Sequence, residues 1–542
     1  MTGSTSAAPS YDYIIVGAGS AGCVLANRLS ADPHNNVLLL EAGGRDWHPY
    51  IHMPLAMLKV SRRRSVNWPY ATEPEPHCDN REIQIPRGKV LGGSSSINAM
   101  IYARGHPLDY DEWRQMGLRG WGYADVLPFF KRSERSWRGD GEYHGAVGPL
   151  RVSRGETQSP LHTLFTEAAG KLGFPASDDY NGAKPEGVAF PDFTIGGGRR
   201  YSTARAFLYP AMKRPNLRIE TRALAHRVLI EKGRAIGVEY RQNGTLCRAY
   251  AEREIVLSGG TYNSPQLLLL SGIGPADELR ALGVTPVLDR PSVGRNLHDH
   301  VNSVITFDMA KPLSLVDDLR WDRLALAVVR WAAFGAGSVG TMPLQCICFL
   351  RTRAESERPD IELLVSPVAP DADIWFPGVK KPIAHRFSSR VAVLHPRSRG
   401  RLTLRSADPA DRPRILWNLL DDPYDLETLR GGLKAVRDIF AQDPLKSLVA
   451  AEFSPGPRFA SDAALDEWIR KNCATASHPA GSCRMGADAE AVVDEELRVN
   501  GVAGLRVADC SIMPNVTGCN TNAPTIMIAE KAAEYILGTA GS

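Results

Sequence analysis

The chain has 542 residues and nearly balanced charge, with 64 Lys and Arg, 60 Asp and Glu, and a formal net charge of +4 at pH 7. This length exceeds the roughly 250–300 residues that one hydrophobic core usually holds, so we expect two domains. The small and dispersed positive charge excludes the basic footprint of a protein that binds nucleic acid.

The cysteines and the first ten residues bear on the location of the protein in the cell. Nine cysteines, an odd number without a C-x-x-C pair, argue against a complete disulfide framework and favour a reduced, cytoplasmic protein. Residues 1–10 are rich in Ser, Ala and Thr and lack both a basic start and a long apolar core. We interpret them as a disordered leader rather than a signal peptide.

The first predicted elements form a βαβ unit. The apolar, β-rich run 11–16 is followed by a helix-like stretch, and a second apolar run, 37–41, ends in an acid. Between the first run and the helix stand three glycines, Gly17, Gly19 and Gly22.

This glycine spacing predicts a dinucleotide site. Gly17 allows a tight turn, Gly19 lets the backbone approach a pyrophosphate, and Gly22 permits close helix packing. The helix N-terminus offers free N–H groups to the phosphates. Glu41 lies about 20 residues past the last glycine, where a carboxylate binds ribose hydroxyls. An ordinary Gly-rich turn is the alternative.

The segment 86–98, Pro-Arg-Gly-Lys-Val-Leu-Gly-Gly-Ser-Ser-Ser-Ile-Asn, is unusual in composition. Its glycines and small hydroxyl residues predict a loop that approaches another group closely. A surface turn is the alternative, but Ile97, Met100 and Ile101 are poor surface residues. We therefore favour a second loop that contacts the cofactor.

The middle of the chain is predicted to return to the first sheet. Residues 217–230 and 235–240 alternate as strands of a meander, and 253–260 is a buried strand that ends in a glycine pair. Residues 264–274 follow as a helix with a Gly stop. This repeats the strand, turn and helix order of the first unit.

Two local motifs bear on metal binding and on serine hydrolysis. His298 and His300 form an H-x-H pair, but a third ligand at a recognisable spacing is missing, so no metal is predicted. Ser94 to Ser96 lie in a run that lacks the G-x-S-x-G elbow of a serine hydrolase.

Residues 311–470 differ in character from the preceding chain. Prolines, scattered aromatics and alternating strands such as 401–404 predict an antiparallel sheet with helices, forming a substrate domain. No run reaches the roughly 18 apolar residues of a transmembrane helix, since the best candidate, 324–335, is broken by Arg330. The amphipathic pattern of 311–345 leaves peripheral contact with the inner membrane open, beside a buried or lid helix.

The last segment again carries strong patterns. Residues 505–509 form a short strand that ends in an acid, and 524–537 form a helix with Pro in its first turn. The chain is therefore expected to begin and end in one domain.

His478 and Asn520 are the candidate chemical groups of this segment. Pro479 fixes the backbone beside His478, and two nearby glycines permit a tight loop, so the ring is held in place. Asn520 and Asn522 precede the last helix, where Asn usually serves as a cap. One of them can cap the helix while the other faces the site.

Five segments together resemble the glucose-methanol-choline (GMC) oxidoreductase family, in order and over nearly the whole chain. Within that family the chain is most similar to bacterial FAD-dependent alcohol dehydrogenases and choline-dehydrogenase-like proteins. The segments are 17–22 with Glu41, 87–98, 264–274, 478–486 and 520–530.

The resemblance implies an architecture of α/β plus α+β type. A Rossmann-like FAD-binding domain is expected over 11–160, 215–308 and 474–540. A substrate domain, built on an antiparallel sheet with helices, is expected over 161–214 and 309–473.

The resemblance also implies roles for individual residues. His478 matches the catalytic histidine and Asn520 its partner, Glu41 the ligand of the adenosine ribose, Val228 a backbone contact of the adenine, and Asp509 the acid near the ribityl chain. The full set of implied FAD-binding residues is Gly17, Gly19, Ser20, Ala21, Gly22, Glu41, Ala42, Trp68, Arg87, Gly88, Val90, Gly92, Gly93, Asn98, Met100, Val228, Ser258, Asp509 and Asn522.

Two departures from the family pattern bear on the cofactor. Ile97 stands where some members carry a His that attaches the flavin covalently, so the match implies non-covalent FAD. Ser482 replaces a common Thr and keeps the hydroxyl.

The implied activity is oxidation of an alcohol to an aldehyde or ketone. His478 is expected to take the hydroxyl proton, Asn520 to orient the same oxygen, and the α-hydride to pass to flavin N5. The electron acceptor is left open among a quinone, a dye-like carrier and O₂. Alternatives are an oxygen-using oxidase of the same fold, a choline dehydrogenase, a flavin-binding structural or sensory protein, and a nicotinamide enzyme.

Overall fold

The computed structural model describes residues 9–155 and 159–538. Its helices are α1 Ser20–Leu29, α2 Pro49–His52, α3 Met57–Val60, α4 Pro107–Gln115, α5 Tyr123–Ser133, α6 Leu161–Gly170, α7 Tyr209–Ala211, α8 Gly260–Leu270, α9 Ala276–Ala281, α10 Trp321–Phe334, α11 Pro423–Phe440, α12 Asp462–Asn472 and α13 Asn522–Leu537. Its strands are β1 Ser10–Val16, β2 Val37–Glu41, β3 Asn67–Ala71, β4 Gln84–Gly88, β5 Glu134–Ser136, β6 Leu150–Arg154, β7 Gly187–Ala189, β8 Asp192–Phe193, β9 Ile195–Gly196, β10 Arg199–Arg200, β11 Leu217–Thr221, β12 Ala223–Glu231, β13 Arg234–Gln242, β14 Thr245–Leu257, β15 Ile273–Gly274, β16 Leu288–Asp289, β17 Val301–Met309, β18 Cys346–Leu350, β19 Ile361–Ser366, β20 Arg386–Val393, β21 Arg401–Thr403, β22 Arg414–Leu416, β23 Val449–Ser454, β24 Ala474–Thr475 and β25 Leu505–Val507.

A mostly parallel sheet carries the predicted βαβ unit. Its order is β11-β2-β1-β14-β13-β12, with β25 also beside β14. Every residue of β2 is buried, as are the last four of β1, which is why these strands are continuous apolar runs. The prediction that the chain returns to its first sheet is confirmed, because β14 and β25 pair in parallel with β1 and β14, respectively.

The meander prediction needs a correction at Arg222. Residues 217–230 are two strands, because Arg222 has a left-handed φ of 56° and its N–H donates to the Gly43 carbonyl at 2.8 Å. Before this break β11 pairs in parallel with β2, and after it β12 pairs antiparallel with β13.

The middle helix begins earlier than predicted. The sequence predicts it over 264–274, but α8 starts at Gly260 and contains Pro265 in its interior. The glycine stop is Gly272, with φ of 82°, rather than residue 274.

The leader prediction falls mostly outside the described residues, which begin at Pro9. Ser10 already belongs to β1 and pairs with Tyr250, so the predicted leader is too long by at least this residue.

A second sheet, antiparallel as predicted, has the order β23-β17-β20-β19-β18-β7, with β24 beside β17. On one face it packs against α11, where a Cβ added to Gly432 would lie 2.5 Å from Val391 and 3.3 Å from Ile361. On the other face Ile347 and Phe349 join a buried cluster with Met100, Leu394 and Cys519. The sheet therefore lies between α11 and the segments around Met100 and Cys519. Residues 401–404 lie elsewhere, in the hairpin β21-β22.

The five-segment division into domains stays a proposal. Since β17 pairs along its length with β20 of the antiparallel sheet, we propose a boundary near residue 300 in place of the one predicted between 308 and 309.

The first and last helices of the described chain pack together. β25 extends the parallel sheet, and the last helix starts at Asn522, two residues before the predicted start. Arg28 of α1 and the fully buried Glu530 of α13 form an ion pair at 2.7 Å. Among the described helices none is both long and apolar enough to cross a membrane.

Candidate active site

Two glycines of the dinucleotide turn are required by the protein itself. Gly17 has φ of 101°, and a Cβ there would lie 2.5 Å from the Ser258 carbonyl oxygen. A Cβ on Gly22 would lie 1.8 Å from the Gly17 carbonyl oxygen. Both contacts are with backbone, so neither position admits a side chain without moving a strand or helix.

Gly19 differs from its neighbours. Its φ of −78° is open to any residue, and an added Cβ would meet no described atom closer than the Ser258 oxygen at 3.9 Å. Gly19 is the N-cap of α1 and makes no side-chain cap, so the first N–H groups of the helix face this space. The opening fits a pyrophosphate at a helix N-terminus.

Glu41 ends β2 beside this turn. Its carboxylate accepts hydrogen bonds from the Ala18 N–H at 2.9 Å and the Gly43 N–H at 2.7 Å. Burial raises the pKa of Glu41 to about 7, against the lowering effect of these two bonds and of Lys89. A carboxylate has about four lone-pair sites, so acceptor capacity remains for ribose hydroxyls.

The predicted second loop packs directly on the dinucleotide turn. The Gly92 N–H donates to the Ala18 carbonyl at 2.8 Å. A Cβ added to Gly93 would lie 2.7 Å from the Gly19 Cα. The opening in front of the α1 N-terminus is therefore bounded by both the dinucleotide turn and this second loop.

Other predicted cofactor residues line the loop or its flanks. Trp68 is paired with Arg87 across β3 and β4, and the Lys89 ammonium lies 4.2 Å from its ring centre. The Asn98 side chain accepts from the Met100 N–H at 3.0 Å, and Met100 is buried with φ of 60°. Ala21 lies in α1, Ala42 follows β2, Gly88 ends β4, and Val90 bridges to the backbone of Gly44.

The remaining predicted residues connect the parallel sheet to the last helix. Ser20 donates to the Asn522 side chain at 2.7 Å. Asp509 is buried and accepts from the Ser264 hydroxyl at 2.6 Å and the Gly260 N–H at 2.8 Å. The Val228 N–H donates to the Ser271 hydroxyl at 2.8 Å, so a contact with adenine is left to its other backbone atoms.

His478 lies three residues after β24 of the antiparallel sheet and is 9% exposed. Its Nδ1 is 3.0 Å from Nδ1 of His300, and its Nε2 is 3.0 Å from Nδ2 of Asn520. Its backbone N–H donates to Asp299 at 2.9 Å, while Arg87 donates to the carbonyl of the preceding Ser477 at 2.6 Å. Ring and backbone are therefore both fixed.

These contacts determine which ring nitrogen of His478 carries the proton. Because the Asn520 amide donates to Nε2, we assign the His478 proton to Nδ1, where it is donated to His300. Burial, followed by the charges of His300, Arg390 and Arg87, lowers the pKa of His478 well below its usual value. Burial lowers the pKa of His300 to about 4. Near pH 7 His478 is thus neutral, with an unprotonated Nε2.

The capping interpretation of the two asparagines is wrong. The N-cap of α13 is Thr521, and its side chain makes no capping bond. Asn520 contacts His478 and Asn522 contacts Ser20, so both side chains are used in tertiary contacts.

Sequence reasoning missed His300 and Asp299. The H-x-H pattern drew attention to this segment, but only as a metal question. In the structure both ring nitrogens of His298 are used, by the Asn296 carbonyl at 2.5 Å and the Val516 N–H at 2.9 Å. No group of three potential metal ligands occurs within residues 9–155 and 159–538.

Several buried polar atoms around His478 lack a partner in the described chain. They are Oδ1 of Asn520, Nε2 of His300, Oδ2 of Asp299 and Nε of Arg87. Buried polar atoms are nearly always hydrogen-bonded in native proteins. Together with the opening at Gly19, these atoms fit a site that receives a polar cofactor and a substrate oxygen.

The chain is similar to known proteins over nearly its whole length. Two models of the GMC oxidoreductase family match residues 11–302 and 396–529. An oxygen-dependent choline dehydrogenase from Sinorhizobium fredii is 45% identical over 97% of this chain and 95% of its own length. One from Brucella canis is 43% identical over the same shares.

Solved structures are similar over the whole chain. Pyridoxine 4-oxidase from Mesorbium loti, at 33% identity, has a TM-score of 0.87 and covers 97% of this chain and 98% of its own. A formate oxidase, at 27% identity, has a TM-score of 0.90 and covers 99% of both chains. The predicted fold class is confirmed.

Proposed function

This chain belongs to the GMC oxidoreductase family and is an FAD-dependent oxidoreductase acting on alcohols, and we propose that His478 is its general base and Asn520 the residue that orients the substrate oxygen. The FAD-binding residues predicted from the sequence are proposed to hold the cofactor along the opening at Gly19. Ile97 offers no nucleophile for a covalent bond to it.

The proposed mechanism begins at the hydroxyl proton. An alcohol carbon releases a hydride readily only as its O–H proton leaves, because the forming carbonyl needs the electron density of an alkoxide. Nε2 of His478 accepts this proton, while the Asn520 amide donates to the same oxygen. When bound, FAD supplies the oxidation by accepting the hydride. Proton and hydride together account for the two hydrogens lost on forming the carbonyl.

One observation carries this assignment. Nε2 of His478 and Nδ2 of Asn520 lie 3.0 Å apart, whereas Nδ1 of His478 is occupied by His300. The basic nitrogen and the amide donor therefore face the same place. Oδ1 of the same Asn520 amide has no partner in the described chain.

The activity is tested by mixing purified holoenzyme with primary alcohols without oxygen. We expect a yellow protein whose flavin absorbance is bleached by an alcohol that it oxidises. Admitting air then separates two electron acceptors, since rapid recovery of colour identifies O₂ and slow recovery identifies a dye-like or quinone acceptor. A protein that stays yellow with every alcohol of a broad panel contradicts the proposal.

Choline is a narrower candidate substrate because the relatives from S. fredii and B. canis are named for it. A quaternary ammonium ion is bound by aromatic rings and carboxylates. Glu362, on the sheet face toward Met100 and Cys519, offers a buried carboxyl group, but Arg390 on the same face opposes a cation. Choline is therefore included in the substrate test described below.

We further propose peripheral membrane contact through α10. Its exposed face carries Leu326 at 71%, Val329 at 65% and Phe334 at 82% exposure, and Val379 nearby is 89% exposed. The exposed cations Arg323 and Arg330 lie on the same side of the helix, between Leu326 and Phe334, and Lys381 is also exposed. A helix that exposes apolar and basic side chains together is typical of binding at the interface of an anionic bilayer.

Vesicle sedimentation tests this contact. We expect the protein to sediment with phosphatidylglycerol vesicles and less with pure phosphatidylcholine, and the binding to weaken with salt. The double variant Leu326→Glu and Phe334→Glu is expected to stay in the supernatant with unchanged turnover. Val147→Glu, at an 87% exposed position elsewhere, is the matched control. A wild-type protein that stays in the supernatant with anionic vesicles contradicts the proposal.

A further inference from the structure

Three polar side chains share the sheet face that looks toward Met100 and Cys519. Register places Arg390 of β20 opposite Leu364 of β19, and Leu364 opposite Ile347 of β18. Glu362 lies two residues before Leu364, and Gln345 two residues before Ile347. Because side chains alternate along a strand, all three point to the face that carries Ile347.

Two of these side chains are buried, and all three have unpaired polar atoms. Gln345 and Glu362 are each 1% exposed. Both amide atoms of Gln345 and Oε1 of Glu362 have no hydrogen-bond partner in residues 9–155 and 159–538. In the same part of the chain the guanidinium of Arg390, which is half-buried, makes no hydrogen bond or ion pair. Leaving such groups unpaired is costly, so the arrangement indicates a ligand that pairs them.

This polar group belongs to the region of the proposed chemistry. Its face packs in one cluster with Cys519, the residue before Asn520. The low pKa of His478 is caused first by burial, then by His300 and then by the positive charge of Arg390. A substrate whose hydroxyl meets His478 can therefore extend its other end to Arg390.

The charges of the group favour an anion. Burial raises the pKa of Glu362 to about 7, with Arg390 acting in the opposite direction. Near neutral pH a large share of Glu362 is therefore protonated and able to donate. The Arg390 guanidinium can donate two parallel hydrogen bonds to a carboxylate, and the Gln345 amide adds a neutral donor. A quaternary ammonium ion can use none of these donors and is repelled by Arg390.

Resting on the proposed function, we infer that Arg390, with Glu362 and Gln345, selects alcohols that carry a carboxylate at the end remote from the oxidised hydroxyl. Arg390 is the specificity-determining residue of this site. The oxidised carbon faces His478 and Asn520, and the carboxylate replaces the missing partners of the three side chains.

Three alcohols of similar size test this selection. Choline and 3,3-dimethylbutan-1-ol are nearly isosteric and differ in charge, and 4-hydroxybutanoate supplies the carboxylate. We expect kcat/KM to be about 10- to 100-fold higher for 4-hydroxybutanoate than for the neutral alcohol, and lower for choline than for both. Arg390→Leu is expected to remove the advantage of the carboxylate.

A binding measurement gives a readout independent of turnover. Butanoate cannot be oxidised at a hydroxyl, and its titration into the holoenzyme is followed by the change in flavin absorbance. We expect Arg390→Leu to raise its Kd by about 10- to 100-fold. Arg386→Gln is the matched control, because this arginine of the same strand is already paired with Asp308 at 2.7 Å.

The outcomes separate the two proposals. If the wild type oxidises choline as well as 4-hydroxybutanoate, or if Arg390→Leu leaves both the substrate ratio and the butanoate Kd unchanged, the inference is overturned while alcohol oxidation stands. If none of a broad alcohol panel bleaches the flavin, the proposed function fails, and the butanoate titration still decides whether Arg390 binds a carboxylate.

Discussion

His478→Ala is expected to slow flavin reduction by the alcohol by about 10²- to 10⁴-fold, the usual contribution of a general base. The imidazole is neutral because burial lowers its pKa, so the wild-type enzyme holds a ready acceptor at Nε2. Alanine removes that acceptor, so that only water can take the hydroxyl proton. Anaerobic stopped-flow mixing measures this rate directly, and the flavin absorbance of the resting variant shows that FAD is retained.

Two controls make this result specific. His34→Ala removes a histidine whose side chain is 92% exposed, and it should leave the rate unchanged. His300→Asn keeps a polar group beside Nδ1 and should have a smaller effect than His478→Ala, because His300 positions the ring and does not take the proton. A His478→Ala variant that reduces its flavin at the wild-type rate would show that another group is the base.

The parallel part of the fold could be predicted from sequence because its elements leave local marks. Strands buried on both faces are continuous apolar runs. Gly22 is required by a contact within its own turn, with the Gly17 carbonyl, and Gly17 has a φ of 101° that favours glycine. The break at Arg222 left no such mark, since a left-handed φ at a non-glycine residue depends on the Gly43 carbonyl from a distant segment.

The candidate site could be predicted only in part. His478 and Asn520 were proposed through the resemblance, and the structure places their side chains in contact across 42 residues of sequence. The contact of His478 with His300 spans 178 residues, and no local spacing indicates it. Arg390 and Glu362 come to one face through the register of β19 and β20, which is set by tertiary packing rather than by either segment alone.

Gly19→Val is expected to give a folded protein that has largely lost FAD. A Cβ at this position meets nothing closer than 3.9 Å, and its φ of −78° suits valine, so the fold should persist. The branched side chain fills the opening in front of the α1 N-terminus, where the pyrophosphate is proposed to bind. Overfilling a packed site typically costs about 1–3 kcal/mol, which corresponds to roughly 10- to 100-fold weaker FAD binding.

The measurement compares flavin content and thermal unfolding of matched apoproteins. Wild type and Gly19→Val should unfold at similar temperatures without FAD, whereas only the wild type should gain stability on adding it, since a ligand stabilises the state that binds it. Gly22→Ala provides the contrast, because its Cβ would lie 1.8 Å from a backbone oxygen and should destabilise the fold itself. If Gly19→Val is purified with a full complement of FAD, the cofactor does not approach the backbone at this glycine. The proposed pyrophosphate site must then be placed elsewhere.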